Sequence, residues 1–157
     1  VITTQHHKEI PLSYDVVILG LGYVGLPLAQ QATRAGLSVL GFDVDETVVK
    51  SLADGRSHVD DLSDEDVAAM VADGFRPTAD ETEIARARTA VICVPTPLSE
   101  GDGPDLRAVT GATGSVGRNL RPGMLVVLES TTYPGTTDDV VRPLLEQLSG
   151  LTAGIGF

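Results

Sequence analysis

The stretch Val16-Val17-Ile18-Leu19-Gly20-Leu21-Gly22-Tyr23-Val24-Gly25 decides the fold. Its first half is an uninterrupted apolar run rich in β-branched residues, the pattern of a strand covered on both faces. Its second half spaces three glycines as Gly-x-Gly-x-x-Gly and opens a segment, Val24 to Ala35, with Leu28, Ala29, Ala32 and Ala35 at helical spacing and Gly36 after it. Pro27 falls in the first turn, where a missing N–H is tolerated. In such a strand, turn and helix, Gly20 takes the tight turn and Gly22 lets the backbone approach a pyrophosphate. Gly25 allows close packing of helix on strand, and the helix N-terminus points its N–H groups at the anion. The motif alone is weak, since a chain with 17 glycines in 157 residues meets that spacing by chance. The strand before it and the helix after it give it weight.

A second apolar run, Leu37 to Phe42, leads into Asp43, which lies 43 minus 20, or 23, residues after the first glycine. That is near the ~20 expected for an acid accepting the hydroxyls of a nucleotide ribose. The next residues, Val44, Asp45 and Glu46, supply no arginine to neutralise a 2′-phosphate, so NAD is favoured over NADP. A methyltransferase also carries a Gly-rich loop after its first strand and an acid after its second, and a flavoprotein can use the same motif. On these residues alone both alternatives stay open, as does a free-standing nucleotide-binding module without chemistry.

Two more apolar runs, Ala90 to Val94 and Met124 to Leu128, complete a set of four that read as strands buried on both faces. With segments between them long enough for helical crossovers, the fold class is α/β, a Rossmann-type doubly wound parallel sheet. Helices are expected over Asp45 to Ala53 and Ser63 to Ala72, each followed by a glycine, and Ser63 with Asp66 approximates a capping box. Phe75-Arg76-Pro77 fits a short edge strand. The segment Thr110 to Gly117 resembles a cofactor loop, but residues 110 to 123 are too few for both a loop and a crossover helix. It reads as a helix with Leu106, Val109, Thr113, Val116 and Leu120 on one face. Its glycines, each costing roughly 0.8 to 1 kcal/mol relative to alanine, should make it the weakest helix.

The composition, 42% hydrophobic and 21% charged, fits one globular domain, with residues 1–13 as a flexible segment and 14–157 as the nucleotide-binding unit. A net charge of -11 argues against nucleic acid as a partner. No apolar run approaches the ~20 residues of a bilayer span and no signal peptide is recognisable, which points to the cytoplasm. One cysteine allows no internal disulfide. Residues 43 to 83 hold 13 acids against Lys50, Arg56 and Arg76, the pattern of a solvated outer face. Cys93 lies in the third of the four runs and is expected to be an inert core thiol. His6, His7 and His58 have no partner at metal-ligand spacing and should be solvated, so no metal is expected.

Four segments carry a family likeness: Gly22-Tyr23-Val24-Gly25-Leu26-Pro27, Val94-Pro95-Thr96-Pro97-Leu98, Pro104-Asp105-Leu106, and Glu129-Ser130-Thr131-Thr132-Tyr133-Pro134-Gly135-Thr136-Thr137. In this order they resemble the N-terminal NAD-binding domain of the UDP-glucose/GDP-mannose dehydrogenase family, closest to members that oxidise UDP-N-acetylhexosamines. The resemblance implies oxidation of a sugar C6 alcohol to a carboxylate with NAD, a cysteine elsewhere in the enzyme capturing the aldehyde, and a homo-oligomeric parent. It implies cofactor contacts from Gly20, Gly22, Tyr23, Val24, Gly25, Asp43, Thr96, Ser130 and Thr131, with Thr131 as the catalytic threonine that helps hold a water. Many family members carry a lysine shortly after the ribose acid, where this sequence has Val48, with Lys50 two positions on. The family's remaining catalytic residues, its sugar-binding domain and the last strand of the sheet are expected beyond Phe157, so the chain alone should be inactive.

Overall fold

The computed structural model describes residues 11–98 and 103–157. Its strands are β1 (Tyr14–Leu19), β2 (Val39–Phe42), β3 (Arg76–Thr78), β4 (Ala87–Ile92) and β5 (Leu125–Leu128). Its α-helices are α1 (Gly25–Arg34), α2 (Glu46–Ala53), α3 (Asp64–Ala72), α4 (Arg107–Asn119) and α5 (Arg142–Ser149). The strands form one parallel sheet in the order β3-β2-β1-β4-β5. The winding therefore reverses between β1 and β4, which are hydrogen-bonded neighbours.

Alternation along β1 divides the core into two layers. Val16 and Ile18 pack with Leu26 and Ala29 of α1, Leu52 of α2 and Val67 and Met70 of α3. Val17 and Leu19 face the other way, onto Val109 and Val116 of α4 and Leu145 of α5. Helices thus cover both faces of the sheet, as the unbroken apolar runs required. Gly41 in β2 has no space for a side chain, because a Cβ would come within 2.7 Å of the Phe75 ring and 2.9 Å of Leu21.

The helix ends follow their sequence signals. Asp45 caps α2 by accepting from the Thr47 N–H, and Ser63 and Asp66 form a reciprocal capping box at α3. Asp66 also accepts from Gln30 Nε2 and Arg34 of α1, both at 2.9 Å, so one carboxylate joins two helices. Hydrogen bonds from Ser63, ahead of the Arg34 charge, hold that carboxyl below its ordinary range. The acidic stretch is therefore more than a solvated face, since several of its acids cap or cross-link helices. A π-helical turn, Thr137–Val141, runs into α5, whose Pro143 has no N–H for a regular helical bond.

Three expectations need correction or relocation. β5 is not buried on both faces: Leu125 is 58% exposed, and Val126 to Leu128 are half-buried. Among the described residues no strand pairs with its outer edge, and a groove of ≈ 200 Å³ lies between it, Val141, Leu145 and Phe157. Cys93 lies one residue beyond β4 rather than within it. The flexible segment and His6 and His7 fall, for residues 1–10, outside the described residues, whereas Ser13 is held by hydrogen bonds to and from Arg86.

The Thr110 to Gly117 segment is helical as expected, being the middle of α4, and it is buried over much of its length. A Cβ on Gly117 would stand 3.0 Å from the Leu148 side chain, so the glycine that weakens the helix locally lets α5 approach it. One cost remains in α4. Thr113 is fully buried, and its hydroxyl has no hydrogen-bond partner among the described residues. Burying an unpaired hydroxyl costs about 1 to 3 kcal/mol. Thr113→Val keeps the shape and removes that cost, so it should stabilise the fold by about 1 kcal/mol, read as a rise in the urea midpoint without a change of slope. A lower midpoint would refute this account of α4.

Candidate functional site

Because β1 and β4 are neighbours whose crossovers leave in opposite directions, their carboxyl ends open a crevice that no connecting segment fills. A cleft of ≈ 720 Å³ lies there, within the range of about 300 to 1,000 Å³ that holds small molecules. The turn from β1 into α1 supplies Gly20, Gly22, Tyr23 and Val24 to its wall, and the end of β2 supplies Asp43, Val44 and Asp45. Val94 and Pro95 follow β4, and Ala108, Gly111 and Ala112 of α4 close the far side.

The three glycines do different things. Gly20 has φ 91, and a Cβ there would come 2.8 Å from the Cys93 carbonyl oxygen. At Gly25 a Cβ would stand 1.8 Å from the carbonyl oxygen of Gly20, a separation no packing could accommodate. A Cβ on Gly22 would meet nothing of the protein within 4 Å. Two glycines are therefore demanded by the fold, and the third faces open space in the cleft. No side chain caps α1; the Leu26 N–H is taken by the Gly22 carbonyl at 3.0 Å and Pro27 has none, so the positive end of the helix dipole and the N–H groups ahead of them, Tyr23 to Gly25, are what remains for an anion.

Asp43 is fixed from two sides. The Leu21 N–H donates to its Oδ2 at 2.9 Å and the Asp45 N–H to its Oδ1 at 3.0 Å, which ties the end of β2 to the glycine turn. Each oxygen keeps a lone pair for a further donor. No lysine or arginine lines the cleft among the described residues; Val48 of α2 stands in its wall, and Lys50 does not reach it.

The loops after β4 and β5 are bonded together. Thr96 Oγ1 donates to the Thr131 carbonyl at 2.6 Å, and the Ser130 N–H and Oγ both donate to the Ile92 carbonyl, at 3.1 and 3.2 Å. Thr96, Ser130 and Thr131 thus form one patch continuing from Pro95, while the cleft wall itself holds none of the three. Cys93 lines the cleft beneath the glycine turn but is only 6% exposed. Burial, with a smaller contribution from the Glu129 charge, pushes its thiol up to about 11, so it is neutral near neutral pH. His58 stands exposed in the same wall, a position that no sequence signal indicated. Gly111, from the segment that imitates a cofactor loop, also borders the cleft, but as the surface of a helix.

The chain matches the sequence model of the UDP-glucose/GDP-mannose dehydrogenase family, NAD binding domain, over residues 14–157. It is 38% identical over 144 residues to UDP-N-acetyl-D-mannosamine dehydrogenase of Pyrococcus horikoshii, a match covering 90% of this chain and 34% of that protein. It is 36% identical over 137 residues to UDP-N-acetyl-D-glucosamine 6-dehydrogenase of Pseudomonas aeruginosa, covering 87% of this chain and 32% of that one. A solved structure of UDP-D-ManNAc dehydrogenase from Pyrococcus horikoshii superposes with a TM-score of 0.84 at 36% identity, over 90% of this chain and 34% of that structure. The chain spans about a third of the length of these relatives. From a glycine turn at the sheet's switch point, an acid tied to it and this likeness over nearly its whole length, the chain belongs to the UDP-glucose/GDP-mannose dehydrogenase family and corresponds to its NAD binding domain.

Proposed function

We propose that the cleft holds NAD with its pyrophosphate across the backbone of Gly22 to Val24, its adenosine ribose on Asp43 and its nicotinamide end toward Thr96, Ser130 and Thr131. The observation that carries this reading is Gly22: its missing side chain serves no neighbour in the protein, whereas a dinucleotide phosphate would need that space. Gly20 and Gly25 shape the turn, and Tyr23 and Val24 give the phosphates backbone rather than charged side chains. When bound, NAD supplies a hydride acceptor; the protein's part is to orient it and to keep its reactive end beside hydroxyl groups. Thr131 is read as the residue that positions a water, and its hydroxyl adds no charge beside the reacting centre.

The relatives' names support oxidation of the C6 alcohol of a UDP-sugar, a UDP-N-acetylhexosamine, to the carboxylate as the reaction this domain serves. The family membership argues against the adenosylmethionine alternative. We place residues 14–157 as a single NAD-binding unit of a cytoplasmic, homo-oligomeric dehydrogenase acting in polysaccharide biosynthesis. No helix among the described residues is long and apolar enough to cross a membrane.

A 2′-phosphate beside Asp43 would meet a like charge, and among the described residues no lysine or arginine stands in the cleft wall to offset it. Such repulsion costs several kcal/mol, so NADP should bind at least about a hundredfold more weakly than NAD, and Asp43→Ala should narrow that gap with the circular dichroism unchanged. Equal affinities in the wild-type chain would remove Asp43 from its role. The glycines give a second test. Gly22→Val should fold normally and lose NAD binding by calorimetry, whereas Gly25→Ala should fail to give a stable fold at all.

The chain's single thiol is shielded and neutral, and an unactivated threonine hydroxyl is no base near neutral pH. The purified chain should therefore bind NAD yet form no NADH from UDP-N-acetylmannosamine, UDP-N-acetylglucosamine, UDP-glucose or GDP-mannose. Turnover of any of them would mean that the catalytic groups are assigned to the wrong residues.

A further inference from the structure

Pyrophosphate at Gly22 to Val24 and ribose at Asp43 give the cleft a direction. The base attached to that ribose then falls beyond Asp43, toward Val44, Val48 and the small residues Ala108, Gly111 and Ala112 of α4. Those side chains are apolar or small, and a Cβ on Gly111 would meet nothing within 4 Å, which leaves room for a flat ring. Apolar walls accept any such ring, so a hydrogen bond to the purine edge needs a polar side chain in the same cleft.

The side chains able to supply one are few. Both oxygens of Asp43 already accept from backbone N–H groups, and Asp45 is engaged as the cap of α2. Tyr23 belongs to the glycine turn, at the phosphate end. His58 remains: it lies in the cleft wall, close to Asp45, and its side chain makes no hydrogen bond among the described residues. The loop holds it there from both sides. The Ser57 N–H donates to Asp64 Oδ1 at 2.7 Å, Ser57 Oγ donates to the Val59 carbonyl at 2.9 Å, and the Val59 side chain is anchored in the core at 4% exposure.

We propose that His58 is a binding residue for the purine of the dinucleotide, its imidazole hydrogen-bonded to the adenine edge. Imidazole offers a donor nitrogen and an acceptor nitrogen, and adenine carries an amino donor beside ring-nitrogen acceptors, so the pair can be satisfied in either tautomer. This assignment rests on the placement of NAD argued above.

The test is calorimetry on the full chain with NAD and with nicotinamide mononucleotide, which lacks the purine, using His58→Phe, which keeps a flat ring, and His58→Gln, which keeps a donor and an acceptor. His58→Phe should lower NAD affinity about fivefold to tenfold, the scale of one hydrogen bond, and leave the mononucleotide unchanged. His58→Gln should bind NAD nearly as the wild type does. Unchanged NAD affinity in His58→Phe, or an equal loss for both ligands, would overturn the role of His58. Should Gly22→Val bind NAD as tightly as wild type, the placement of NAD itself falls, and this assignment with it. Loss of binding in Gly22→Val with no effect of His58→Phe would remove His58 alone.

Discussion

Residue 25 has no room for a side chain. A Cβ there would stand 1.8 Å from the Gly20 carbonyl oxygen and 3.2 Å from the Cys93 side chain, so the first turn of α1 is pressed against the ends of β1 and β4 together. That close approach fixes where α1 begins and in which direction its N-terminus points. It keeps the glycine turn low enough for the Leu21 N–H to reach Asp43, and it seals Cys93 beneath the turn. Without it, the helix would stand off the sheet and the cleft would lose its floor.

The same economy of space recurs at a distance. Gly41 admits the Phe75 ring and Leu21 to the middle of β2, and Gly117 lets Leu148 of α5 lie against α4. In each case a residue of poor intrinsic propensity is tolerated because packing returns more than propensity takes. Gly22 and Gly111 differ, since neither has a neighbour that a Cβ would strike, and both border the cleft. Glycines forced by packing and glycines open to the cleft look alike in the sequence. Only their surroundings separate a structural demand from space reserved for a ligand.

Electrostatics organise the cleft by position more than by quantity. Despite a net charge of -11, the carboxylates lining the cleft are individually engaged: Asp43 by two backbone N–H groups and Asp45 by the start of α2. The free positive end of α1 is then the principal attraction for an anion at the glycine turn. Val48 stands in the cleft wall, and among the described residues no lysine or arginine adds to that attraction.

The sequence by itself determined the parallel sheet, the glycine turn, the acid after β2, the capped start of α3 and the helical nature of the Thr110 to Gly117 segment. Each of these is written in local periodicity, in turn chemistry or in spacing along one stretch of chain. Its motif resemblance also singled out Thr96, Ser130 and Thr131, but not the bond that joins Thr96 to the Thr131 carbonyl 35 residues away. Tertiary structure alone decided that β1 and β4 are neighbours, that Cys93 lines the cleft from just beyond its strand, that β5 is half-covered, and that His58 and Gly111 border the same cleft. Those facts depend on which distant segments share a surface, and a pattern of period two or 3.6 fixes the face a residue takes but not the partner it meets there.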